Sequence, residues 1–278
     1  MPFRKARNWG GIKPPAGTPL DWGDPINSSI TTCALFNEGA GKNVLNVADN
    51  KFTGSSNPTS WGTAAGGNGI KNSEGSIAYM DVSGSAGTIK ASTFSIGFTW
   101  IGASHTIDQR VIERSDVDNS GYAFQITTTP ATTIYVHTSG VAAYISFTAP
   151  TKNKYTHIAY TWENHGSDVN ADSEMLILYV NGVRTSYTVL ANGSGDYIDD
   201  PNRIAGIAAA ARSFDGVVHH FRKWKRRLSP SEVSRLYVEP FAGLSVPRRR
   251  IISGTASVAA VFMPASGGTA LPNEQVTM

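Results

Sequence analysis

Phe94-Ser95-Ile96-Gly97-Phe98-Thr99-Trp100 is the stretch on which the fold turns. Its large apolar side chains fall on every second residue, with Ser95, Gly97 and Thr99 between them. A period of two marks a β-strand with one buried side, whereas a helix would space its apolar residues by three and four. Burying Phe94, Ile96, Phe98 and Trp100 together is worth roughly 6–12 kcal/mol of transfer free energy. A slip of one residue would turn all four to water, so the register is strongly constrained.

Working outward, the same signal recurs at short spacing. Residues 31–36 form a short apolar strand that ends in the turn Asn37-Glu38-Gly39-Ala40-Gly41. Residues 121–128 place Tyr122, Phe124 and Ile126 on one side, 133–137 and 142–148 continue the meander, and 155–162 align Ile158, Tyr160 and Trp162. Residues 175–180 are almost wholly apolar, as in a strand covered on both sides, and Asn181-Gly182 then predicts a type I′ hairpin turn. The return strand is expected over 183–190, and two more over 202–208 and 217–224. Residues 53–76 are rich in Gly, Ser and Asn, with Trp61 as an anchor. One helix is signalled: Ser229 as cap, Pro230 at the first position, Glu232 at the third, with Leu228 and Val233 as a staple, ending before Pro240. Many strands with no intervening helical period predict an all-β antiparallel sandwich with one short C-terminal helix.

Composition agrees. The 278 residues include 28 glycines and 14 prolines, and only 16% are charged, which suits strands joined by turns. Cys33 is the sole cysteine, which excludes an internal disulfide and a cysteine metal cluster and suggests a small buried hydrophobe. No run of 18 apolar residues is present, so no membrane span is expected, and the basic N-terminus lacks the apolar core of a signal peptide. The net charge of +3 is unevenly spread: residues 1–13 carry four basic groups, residues 14–211 carry 10 basic and 17 acidic, and residues 212–278 carry 10 basic and 4 acidic. An acidic body with basic ends suits assembly with copies of itself or with other subunits. The division expected is an N-terminal arm over 1–29, a sandwich over 30–238, and a C-terminal arm or added strand over 239–278.

Four of these landmarks together resemble the laminin-G-like, concanavalin A-like jelly-roll superfamily, in its branch associated with phage and bacteria. Ala34-Leu35-Phe36-Asn37-Glu38-Gly39-Ala40-Gly41 is similar to the opening strand and turn. Tyr155-Thr156-His157-Ile158-Ala159 resembles a W-x-H-V-A strand with Tyr for Trp, and Leu176-Ile177-Leu178-Tyr179-Val180-Asn181-Gly182 resembles the L-x-L-Y-V-N-G hairpin. Phe214-Asp215-Gly216 through Glu232 and Leu236-Tyr237 resembles the closing strand and helix, with His219 and His220 where an Asp-Glu pair is usual. The resemblance spans about residues 30–238 and implies the jelly-roll fold and a generic association with glycans.

The chemistry is sparse. An E-x-D-x-x-E strand of the kind glycan-cleaving relatives use is missing, so no catalytic residue and no enzyme is expected. Asp116 and Asp118 open a loop like an EF-hand, but Thr127 stands where its Glu should be; they are weak calcium candidates, and no cofactor is expected. Adjacent residues of a strand point to opposite faces, so His219 and His220 should not share a metal. The run Arg222, Lys223, Trp224, Lys225, Arg226, Arg227 is the densest charge in the chain. It suits solvation of a strand edge, contact with an acidic neighbour or nucleic acid; the acidic body argues against nucleic acid. Arg222, Lys223, Lys225, Arg226 and Arg227, with Trp9, Trp22, Arg248, Arg249 and Arg250 on the arms, are therefore the candidate assembly contacts. Two functions follow: a virion structural protein, a capsid decoration or tail component contacting other virion subunits or its own copies, or else a carbohydrate-binding module, secreted or at a cell surface.

Overall fold

The computed structural model describes residues 13–41, 43–53, 60–73, 80–82, 87–102, 108–114, 122–127, 131–199, 202–204 and 213–245. Its strands are β1 (Ile30–Ala34), β2 (Val44–Asn46), β3 (Lys51–Thr53), β4 (Ser60–Ala64), β5 (Gly67–Asn72), β6 (Met80–Val82), β7 (Thr88–Ile89), β8 (Ala91–Trp100) and β9 (Gln109–Arg114). They continue as β10 (Tyr122–Ile126), β11 (Ala131–Val136), β12 (Ala143–Thr148), β13 (Tyr155–Glu163), β14 (Leu176–Val180), β15 (Val183–Thr185) and β16 (Thr188–Ala191). The last are β17 (Tyr197–Ile198), β18 (Asn202–Ile204) and β19 (Gly216–Trp224), followed by the helix α1 (Pro230–Val238).

Two antiparallel sheets face each other, as the alternation predicts. A ten-stranded sheet runs β15-β14-β13-β8-β19-β1-β2-β3, with β5 also paired to β19 and β4 to β5. A seven-stranded sheet runs β16-β12-β11-β10-β9-β18-β6. Between them lies the main core, including Phe94, Ile96, Phe98, Trp100, Phe124, Ile134, Ile145, Trp162 and Phe221. The Asn181-Gly182 turn forms as predicted, both residues in the left-handed region at φ 51° and 76°.

Two expectations are corrected. The single return strand over 183–190 is broken: β15 stays beside β14, but β16 pairs with β12 in the other sheet. At the crossing, the Tyr187 hydroxyl donates to the Leu176 carbonyl at 2.6 Å and holds the chain against the sandwich edge. Nor does β8 have a solvated side. Every residue from Ser92 to Trp100 is buried, because a second core covers the outer face of the ten-stranded sheet.

That second core is built by the chain on both flanks of the sandwich. Leu20 and Ile26 come from residues 13–29, Val233 and Leu236 from α1, and Phe241, Ala242 and Leu244 from residues 239–245; they pack on Cys33, Ala159, Ile177 and Trp224. The helix starts with the predicted capping box: Ser229 and Glu232 each accept from the other's backbone N–H. Arg235 then grips Asp24 with both guanidinium nitrogens, at 2.9 and 2.7 Å, and so ties α1 to the N-terminal segment. A bridge between Leu20 and Leu244 joins the two flanking segments to each other.

Candidate functional site

The outer face of the seven-stranded sheet is shaped by strand alternation. In β11, Ile134 and Val136 point into the core, so Thr133, Tyr135 and His137 point outward. In β12, Ala143, Ile145 and Phe147 point inward and leave Tyr144 and Ser146 outside. The register sets Tyr135 opposite Tyr144, and their rings lie 6.0 Å apart at 48°. The His137 ring lies 4.5 Å from Tyr135, which extends the row to three rings. All three are half-buried. Beside them Gln125 pairs across to Thr133 and to Arg110. The Gln125 Oε1 and the Thr133 Oγ1 have no hydrogen-bond partner among the described residues. The Gln125 and Thr133 side chains are themselves buried, so what this face offers a ligand is the row of aromatic rings, on which the C–H face of a sugar can stack.

A concavity opens elsewhere, at the sandwich edge where the chain changes sheets. It measures about 350 Å³ and is lined by Phe147, Pro150, Ile158 and Val180, with Thr148, Lys154, Thr156 and Asn181 as polar groups.

The basic run is absorbed by the fold. Arg222 faces the second core, where its guanidinium donates to the Ala242 and Pro240 carbonyls, both at 2.8 Å. Lys223 faces the other way, into the sandwich; it pairs with buried Asp199 and lies 5.2 Å over the Tyr197 ring. Lys225 reaches the same carboxylate at 3.2 Å. Arg226 bonds Glu232 at 2.7 Å and the Ser28 carbonyl at 2.8 Å, and Arg227 contacts Glu163 and Glu174. Arg222 and Lys223 are thus buried away from any neighbour, because alternation sends one to each face of a strand covered on both sides. Trp22 is 65% exposed in the turn before the N-terminal 3₁₀ segment. Trp9, Arg248, Arg249, Arg250, Asp116 and Asp118 lie outside the described residues, as does the segment 251–263.

The histidines depart from the sequence reading. A bulge interrupts the β8–β19 pairing between Val218 and His220, and it turns His219 and His220 to the same outer face. Both rings lie near Tyr155, at 5.8 and 6.4 Å, and His220 lies 6.0 Å from His157. Each imidazole bonds a hydroxyl: His157 Nε2 to Ser95 at 2.8 Å, His219 Nε2 to Thr99 at 2.9 Å, His220 Nε2 to Tyr155 at 2.9 Å. Burial drives all three pKa values down, His157 to about 3 and His219 to about 4, with the Arg222 charge adding to the effect on His157 and His220. They are neutral at pH 7. Nearby, the Lys13 ammonium donates to the carbonyls of Phe36, Asn68 and His219 at 2.6, 2.7 and 3.0 Å. Burial pulls its pKa down to about 7. No group of three or more His, Cys, Asp or Glu residues placed to hold a metal occurs among the described residues. Nor is any helix there long and apolar enough to cross a membrane.

Comparison with known proteins agrees with this architecture. A family model described as the Concanavalin A-like lectin/glucanases superfamily matches residues 73–234. Among solved structures, Trypanosoma rangeli sialidase superimposes with a TM-score of 0.54 at 12% identity, covering 79% of this chain and 34% of the sialidase. The binding domain of Paraclostridial Mosquitocidal Protein 1 gives 0.54 at 13% identity, covering 78% of this chain and 53% of that domain. The chain thus spans about a third of the first and half of the second, and at these identities the likeness is one of fold. No curated protein matches the sequence.

Proposed function

The chain belongs to the Concanavalin A-like lectin/glucanases superfamily, and from that membership we propose that it is a non-catalytic carbohydrate-binding module. Its ligand lies across the outer face of the seven-stranded sheet. The observation that carries this reading is the half-buried Tyr144–Tyr135–His137 row on that face. A row of half-buried rings at 4.5–6.0 Å spacing supports the stacking of a sugar ring on one or two faces. The non-catalytic part of the reading rests on residue types: β11 and β12, which carry the ring row, and β10 and β16, which pair beside them, contain no Asp or Glu to serve as acid or nucleophile.

The test is a glycan array followed by titration calorimetry with the best-bound oligosaccharide. Tyr135→Ala with Tyr144→Ala should weaken binding tenfold or more, at about 1–3 kcal/mol per stacked aromatic. Unchanged affinity in that variant would move the site off this face. Attachment to a particle, the other role considered, keeps one favouring observation in the exposed Trp22 indole. Trp22→Ala should then abolish co-sedimentation with assembled particles, and retained co-sedimentation would remove that role.

A further inference from the structure

The outer face of the ten-stranded sheet carries a buried basic layer that the glycan face does not use. His157, His220 and Arg222 stand side by side on β13 and β19, all at or below 2% exposure. Gly97 lies between the two histidines in the register, and its missing side chain leaves the space their rings fill. What covers them is short. Tyr237 of α1 stacks on His157 at 6.2 Å, and Phe241 meets His220 edge-on at 6.4 Å. Arg222 holds the same covering segment through the Pro240 and Ala242 carbonyls.

The polar accounting of this layer is unbalanced. Each histidine spends its Nε2 on a hydroxyl, while His157 Nδ1, His220 Nδ1 and Arg222 Nε have no hydrogen-bond partner among the described residues. The charged and titratable groups facing it are Arg222 and His219 from β19, Lys13 from the N-terminal segment, Cys33 from β1, Tyr155 from β13 and Tyr237 from α1. Of the carboxylates on the covering side, Asp24, on which the Arg222 charge acts, is already held by Arg235 in a two-point ion pair, and Glu239 also meets Arg235, at 3.5 Å. A proton added to either imidazole therefore enters a buried layer populated by cations and served by no bonded carboxylate. Hydrating the imidazolium requires moving the cover, which runs from Tyr237 over His157 through Phe241 over His220 to the end of the segment at 245.

We propose that residues 237–245, the end of α1 and the segment after it, form an acid-sensitive latch, which closes over His157 and His220 while they are neutral and lifts from the sheet when they take up protons. Lifting exposes His157 and His220 and detaches Phe241 and Leu244 from the second core, while the sandwich between the sheets stays closed. Once exposed, each histidine titrates near its ordinary value of about 6.5, so at pH 5 each favours the open state by about 30-fold and the two together by about a thousandfold.

The experiment is hydrogen exchange on the full chain at pH 7 and pH 5, corrected for intrinsic rates. Peptides covering 237–245 should lose protection at pH 5 by two to three orders of magnitude, while peptides from β8 remain protected. His157→Gln with His220→Gln should leave the protection of 237–245 the same at both pH values. Equal protection of 237–245 in the parent at both pH values overturns the latch, and so does loss that persists in the double variant. Simultaneous loss in β8 also overturns it, because that outcome is global unfolding. Should the double variant fail to fold, the C2–H resonances of His157 and His220 in the parent decide. Titration coincident with the opening of 237–245 supports the latch, and histidines that remain neutral through the opening refute it.

Discussion

Gly97 stands opposite His220 across the β8–β19 pair, and a methyl group at position 97 would lie 2.3 Å from the His220 Nε2 and 2.6 Å from the Tyr155 hydroxyl. Neither neighbour is a free end: the two are hydrogen-bonded to each other, His220 buried and Tyr155 half-buried. A Gly→Ala change within a strand would ordinarily gain about 0.5–1 kcal/mol through reduced chain entropy. Here overpacking outweighs that gain, and Gly97→Ala is expected to lower the unfolding free energy by about 1–3 kcal/mol. Urea denaturation measures it; equal or higher stability would mean that the rings swing aside without cost.

Acid should weaken the whole fold with a known sign. His157, His219 and His220 are kept neutral by burial, their folded pKa values lying below the ordinary 6.5, while the unfolded chain protonates them near that value. Between about pH 6.5 and pH 4 the unfolded chain therefore binds more protons, and stability falls as the pH falls, by up to about 1.4 kcal/mol per pH unit for each histidine. Above pH 6.5 their contribution is complete and flat. Urea midpoints at pH 7, 6 and 5 report the slope. Replacing His157 and His220 by Gln should remove most of it, and a parent midpoint unchanged from pH 7 to pH 5 would contradict the assignment. Opening of the latch would limit the loss, because the exposed histidines then titrate within the native state.

Lys223 and Asp199 form an ion pair inside the sandwich, each side chain at most 3% exposed. Removing the carboxylate leaves a buried ammonium without its counter-ion, so Asp199→Leu is expected to cost about 3–5 kcal/mol. Converting both, Lys223→Met with Asp199→Leu, replaces the pair by apolar groups of similar bulk and should recover most of that loss. A double-mutant cycle by thermal and urea unfolding separates the two outcomes; strictly additive losses would show that the pair is not coupled.

The parts of the fold legible in the sequence are those where one physical rule acts alone. Alternation from Phe94 to Trp100, the Asn181-Gly182 turn and the Ser229–Glu232 cap each specify local geometry directly, and each forms. The β4–β5 hairpin was hidden because its strands carry glycines where apolar side chains would announce a pattern. Gly69 is required there: a methyl group would come 2.2 Å from the Val218 carbonyl. The bulge at Val218–His220 was hidden for a different reason, since one extra residue reverses the facing of all that follow, and nothing in Val217-Val218-His219-His220 marks it. Charge density alone could not separate Arg222 and Lys223, which the strand's two covered faces bury, from Lys225, Arg226 and Arg227, which stay at least partly exposed. The aromatic platform was half legible: Tyr135 and Tyr144 share a face by parity, but their pairing is fixed only by the β11–β12 register.

The helix cap offers a prediction in which the rank order matters more than the size. Ser229→Ala removes the acceptor that Ser229 offers to the Glu232 N–H at 3.3 Å, a long bond at an exposed helix start, and should cost about 0.5–1 kcal/mol. Glu232 does more. Its carboxylate accepts from the Ser229 N–H at 2.8 Å and from two Arg226 nitrogens at 2.7 and 3.1 Å, and Arg226 in turn holds the carbonyls of Ser28 and Pro25. Glu232→Gln keeps the shape but loses the charge that orients Arg226, so both the helix start and the N-terminal segment loosen. Because the group is partly exposed, water screens the loss, and a cost of about 1–2 kcal/mol is expected. Glu232→Gln should thus destabilise more than Ser229→Ala, and raising the salt concentration should narrow the gap. Urea unfolding at low and high salt provides the comparison, and a cost for Ser229→Ala that equals or exceeds that of Glu232→Gln would show that the cap acts independently of Arg226.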